Sequence, residues 1–98
     1  MHYDDFIKLT KESEPPDLLS DIHLALWYAF KDNWDMSHRI VQDINTQTAS
    51  WIHAYLHRVE GDISNANYWY NCASRKSSNE SLETELDNII ESVFNGLE

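Results

Sequence analysis

The stretch Ala54–Ala73, AYLHRVEGDISNANYWYNCA, decides the fold. Its apolar and aromatic residues recur at three- and four-residue intervals on both sides of Gly61-Asp62, and this spacing predicts two helices joined by a tight turn. Gly61 suits the left-handed conformation that ends a helix. Asp62 is placed to accept a hydrogen bond from an amide of the next helix as its N-cap. The first helix extends back to about Thr48 and stops at Val59; the second covers Ile63 to Ser74.

An echo of this stretch lies 29 residues upstream. With Ala25 set on Ala54, ALWYAFKDNWDMSHRIVQDI lies over AYLHRVEGDISNANYWYNCA, so that Asp32-Asn33 falls on Gly61-Asp62 and Ser37 on Ala66. In each copy a small residue on the first helix (Ala25, Ala54) is followed twelve positions later by a small one on the second (Ser37, Ala66). Small residues let two helix axes approach where they cross, which predicts two hairpins, 17–44 and 48–75.

Outside the hairpins, YDDFIKLTKE carries Phe6, Ile7 and Leu9 among charges and fits a short amphipathic helix, which Pro15 and Pro16 end. The next helix is expected from Asp17 to Lys31, with Leu18 in its apolar set, and its successor from Trp34 to Ile44. Leu82, Leu86, Ile89, Ile90, Val93, Phe94 and Leu97 recur at helical spacing, giving a capping helix over 80–97 whose acidic residues from Glu80 to Glu91 form its solvated face. No segment alternates as a strand would. The fold class is therefore all-α: one domain over residues 1–98, with about five helices.

Composition sets the outer limits. Ninety-eight residues hold one core, and 42% hydrophobic residues exceed what disordered chains carry. The net charge of -10, with 17 acidic residues against seven basic ones, disfavours nucleic acid and anionic membrane surfaces as partners. Cys72 is the single cysteine, which rules out an intramolecular disulfide and reads as a small core residue. With no leader-like start and no membrane-length apolar run, a cytoplasmic location is the expectation.

The residues Ala54, His57, Gly61-Asp62, Ala66, Tyr70 and Ala73 resemble the small, aromatic, Gly-Asp, small, aromatic and small positions of a tetratricopeptide-type helical hairpin. The family usually has Tyr where this chain has His57, and the earlier copy departs further, with Asp32-Asn33 and Ser37. WIHAYLHR, EGD and YWY also resemble a group of small bacterial proteins, a likeness that implies kinship and no activity. The tetratricopeptide resemblance implies a concave face that binds peptides, formed here by Ile22, Leu26 and Ala29 with Trp51, Tyr55 and Arg58. It also implies that the terminal helices cap the ends, and that incomplete caps leave an apolar face which a homodimer would bury.

Trp51, Tyr55 and Arg58, at spacings of four and three, share one side of a helix whatever the family, and these residue types are enriched at binding hot spots. The competing reading packs Trp51 and Tyr55 against the terminal helix and pairs Arg58 with a carboxylate. His53 and His57, one turn apart, could hold a divalent metal with Glu60, with His23 or His38 supplying a third imidazole from another helix. HAYLH lacks the internal glutamate of HExxH, so zinc-protease chemistry does not follow. The competing reading makes both histidines hydrogen-bonded core residues. In Tyr68-Trp69-Tyr70 at least one ring must face the core and one must face outward. The sequence thus points to a small helical-repeat module binding a protein or peptide, with no required cofactor; the alternative is a metal-binding protein or enzyme built on His53 and His57.

Overall fold

The computed structural model describes residues 1–17 and 19–94. Among them are six α-helices and no strand: α1 Tyr3–Leu9, α2 Asp21–Phe30, α3 Trp34–Val41, α4 Gln47–Val59, α5 Ile63–Cys72 and α6 Leu82–Phe94. The expected count of about five falls short because α1 is a full element. Seven residues make a marginal helix alone, but α6 gives this one a partner: the Phe6 ring stacks on Phe94 at 4.6 Å and the Tyr3 hydroxyl donates to Asp87. From α2, the Trp27 indole N–H donates to the Leu9 carbonyl at 2.9 Å. Leu18 and Leu97, expected in the core, lie outside the described residues.

Helices α2 and α3 pack as one pair and α4 and α5 as another, with α4 also against α3 and α6. The two intra-pair turns have the same local geometry. Asp32 (φ 60°) and Gly61 (φ 84°) both adopt the left-handed conformation, and the amides of Asn33 and Asp62 donate to the carbonyls of Tyr28 and His57, each at 2.9 Å. Asn33 then caps α3 by accepting from the Met36 amide, and Asp62 caps α5 by accepting from that of Asn65. The sequence bounds need trimming. Helix α2 starts at Asp21, after Ser20 in extended conformation, and so lies clear of the proline pair. Helix α3 ends at Val41, since Asp43 and Asn45 beyond it favour turns over helix. Helix α5 ends at Cys72, where Ser74 turns left-handed (φ 58°) and the Arg75 amide donates to the Tyr70 carbonyl at 3.0 Å.

The small residues sit at the buried contacts: Ala25, Ser37 and Ala54 have no exposed surface, and Ala66 has 1%. Within the first pair the Ser37 hydroxyl donates to the Ala25 carbonyl at 2.8 Å, which ties the helices across their crossing. A leucine at Ala54 or Ala66 has no room, so each substitution is expected to cost roughly 1–3 kcal/mol by overpacking. Urea midpoints check this, and a neutral result at both positions would place the crossing elsewhere.

Helix α6 docks through a buried carboxylate. Glu85 is 2% exposed and accepts from the Arg58 guanidinium at 2.9 Å, the Tyr70 hydroxyl at 2.5 Å and the Trp51 indole N–H at 3.2 Å. The Tyr70 hydroxyl, buried against this charge, is held strongly protonated. Its carboxylate partner corrects the expectation of a wholly solvated acidic face on α6. Isolated charges are expelled from cores, but one with three donors is not.

Candidate metal centre

Helix α4 presents His53 and His57 one turn apart, and the pairing of α3 with α4 brings His38 against both. One ring nitrogen from each of the three lies within 4.8 Å of the others. The His53 and His57 rings are near-parallel with centroids 4.8 Å apart, while His38 meets them edge-on at 4.6 and 5.3 Å. Two indoles wall the cluster: Trp34 stacks on His38 at 4.7 Å, and Trp69 stacks on His53 at 3.9 Å. Trp34 is itself fixed by its N–H, which donates to the Leu56 carbonyl at 2.6 Å.

The three imidazoles are not equivalent. His53 is 4% exposed, and its Nδ1 is buried without any hydrogen-bond partner. Buried polar atoms are nearly always satisfied, so such an atom calls for a ligand or another explanation. Burial, followed by repulsion from His38 and His57, lowers the His53 pKa to about 4. His38 is also lowered, first by burial and then by His57. Both rings are therefore neutral near pH 7, the state in which imidazole ligates metal.

His57 has a different partner. Its Nδ1 lies 2.6 Å from the Glu60 carboxylate; a carboxylate only accepts, so Nδ1 is the donor, and a metal would be bound through Nε2. A carboxylate behind a histidine fixes the tautomer and raises the basicity of the other nitrogen, as behind metal-ligating histidines generally. Glu60, singled out in the sequence as a ligand, is thus placed to orient His57. A second group, His57 with Glu60 and Asp62, also falls within 4.8 Å, but both its carboxylates are exposed.

Other sequence-selected residues lie elsewhere. Trp51 and Tyr55 are each 7% exposed, and Arg58 is spent on Glu85 and the Glu80 carbonyl. The expectation that these three present an open line is corrected, because α6 lies across them. The guanidinium of Arg75 also stacks on Trp51, 3.4 Å from the ring centroid. His23 packs on Phe94, 4.4 Å away, and is no part of the imidazole cluster. Cys72 is exposed, not a core residue. Of the Tyr-Trp-Tyr run, Tyr68 faces water, Tyr70 faces the core, and Trp69 goes to His53. The sequence reading missed the roles of Trp34 and Trp69. One signal was available: Trp34 and His38, four apart, must share a face of α3. Comparison of the chain with protein-family models, curated proteins and solved structures gave no match.

Proposed function

We propose that the chain is a small helical metal-binding protein, with His38, His53 and His57 as ligands and Glu60 as the residue that orients His57. The observation that carries this is the buried, unpartnered Nδ1 of His53 inside a group of three imidazoles. Three neutral nitrogen donors select zinc and its borderline neighbours, cobalt, nickel and copper, over magnesium or calcium, which take oxygen. Tetrahedral coordination at about 2.1 Å needs nitrogens about 3.4 Å apart. Starting within 4.8 Å, the rings have only of order 1 Å to close. A metal held there would join α3 to α4 and so lock the two helical pairs together.

The broader reading, a tetratricopeptide-like binding module, draws its support from the α2–α3 and α4–α5 pairing and from the two turns of like geometry 29 residues apart. In that reading the metal stiffens the junction between hairpins.

Calorimetric titration of chelator-treated protein with zinc and with nickel tests the centre. One equivalent is expected to bind per chain, with a raised Tm. His38→Ala and His53→Ala each lower affinity at least about tenfold, Glu60→Gln lowers it by roughly 10- to 100-fold, and His23→Ala leaves it unchanged. Absence of stoichiometric binding by the parent protein, or equal losses in His23→Ala, would sink the proposal.

A further inference from the structure

On the other side of α4 lies a second feature that shares no residue with the imidazole cluster. A groove of about 660 Å³ runs between α1, α2, α4 and the start of α6. Its volume lies in the range of sites that bind ligands or anchor side chains. Six large apolar residues stand exposed among those described, and three of them, Phe30 (41%), Val59 (42%) and Leu82 (37%), line this groove. They come from three helices, so their convergence is a product of the fold. Ala29, Tyr55 and Leu86, all buried, and the partly buried Ile7 add to the apolar lining. Apolar exposure concentrated in one concavity marks an interaction surface, whereas scattered residues would not.

The charge around the groove has one sign. Asp32, Glu83 and Asp87 line it, and no lysine or arginine does. Burial and then the Asp32 charge push the Tyr55 hydroxyl up to about 12, and Asp87 does the same to Tyr3. A negative rim around an apolar floor selects a partner that is apolar in the middle and cationic at the edge. It selects against a second copy of this chain, which at a net charge of -10 would bring like charge to like. The same field repels anionic membranes and nucleic acid. Among the described residues there is no strand edge on which an extended peptide could pair, and an apolar floor with a charged rim matches the apolar stripe and flanking charges of a helix docked in a groove.

We infer that the groove bounded by Phe30, Val59 and Leu82 docks an amphipathic helix of another protein, with apolar residues on one face and lysine or arginine flanking them. The apolar face covers the three exposed side chains, and the flanking cations pair with Asp32, Glu83 and Asp87. Tyr55 and Ala29, named in the sequence as part of a peptide-binding face, line this groove; Trp51 and Arg58 do not.

The test uses two synthetic helical peptides, one with leucines on one face and lysines on the other, and a twin with glutamate for lysine. Calorimetry should show the lysine peptide binding at least about tenfold more tightly than its twin, more weakly as salt rises. Phe30→Ser combined with Leu82→Ser should cost about tenfold or more, as loss of hot-spot anchors does. Asp32→Asn with Glu83→Gln should reduce both affinity and salt dependence. Tyr68→Ser, an exposed aromatic outside the groove, is the control and should change nothing. Circular dichroism verifies that each variant is folded. The inference is overturned if neither peptide binds, if the two bind equally, or if the Tyr68 variant loses as much as the groove variants. Self-association abolished by the groove variants would make the occupant a second copy and overturn it equally.

Discussion

Glu85→Ala is expected to destabilise the protein by about 3–5 kcal/mol, the usual cost of removing one partner from a buried ion pair. The substitution leaves the Arg58 cation, the Tyr70 hydroxyl and the Trp51 indole N–H facing a cavity with no acceptor. Arg58 retains only the Glu80 carbonyl. Domains of this size are stable by about 5–15 kcal/mol, so the variant should lie near the edge of unfolding. Glu85→Gln retains the shape and one acceptor oxygen and should cost clearly less. Replacing Glu85 and Arg58 together by Leu and Met removes both charges and should recover part of the loss. Urea denaturation followed by tryptophan fluorescence reads all three. A loss under about 1 kcal/mol for Glu85→Ala would show that α6 is held by its apolar face alone.

The second large effect is on acid stability. In the unfolded chain His53 titrates near 6.5, while in the folded protein its pKa is lowered to about 4. Above pH 6.5 both states are neutral there and the full stability is present. Between 6.5 and 4 the unfolded chain binds a proton that the folded one refuses, so stability falls as pH falls, and below 4 the loss levels off. The shift corresponds to roughly 3 kcal/mol. His38 and His57 face His53 and add to its reluctance to charge, whereas Glu60 and Asp35 act on His38 in the opposite sense. With a chelator present to keep metal away, His53→Gln should flatten the profile between pH 6.5 and 4 relative to the parent. An unchanged profile would place the acid sensitivity on other groups.

These two expectations rest on residues the sequence treated differently. The histidine pair was visible because residues four apart on a helix must share a face. What periodicity could not supply was the third imidazole: both His23 and His38 were candidates, and choosing between them needs the angle and depth at which α3 meets α4. Glu85 was less legible still. In a run containing Glu80, Glu83, Asp87 and Glu91, one more carboxylate reads as a solvated residue. Only the donors brought over by α4 and α5 make its burial tolerable. Spacings of four and three put Trp51, Tyr55 and Arg58 on one face of α4, but which element covers a face is a tertiary fact, and here α6 covers it.

By itself the sequence determined the all-helical class, the two turns at Asp32-Asn33 and Gly61-Asp62, and the small residues on the helices that flank them. Each of these is set by interactions reaching no more than a helical turn or two along the chain: capping bonds, left-handed φ, side-chain size at i and i+4. The tertiary structure decided which polar groups are buried and what they meet. It brought His38 to His53 and His57, assembled donors around Glu85, and gathered Phe30, Val59 and Leu82 around one groove. Those meetings depend on where separate helices cross in space, and a shift of one residue in any crossing would replace the meeting made there while leaving the local pattern of each helix unchanged.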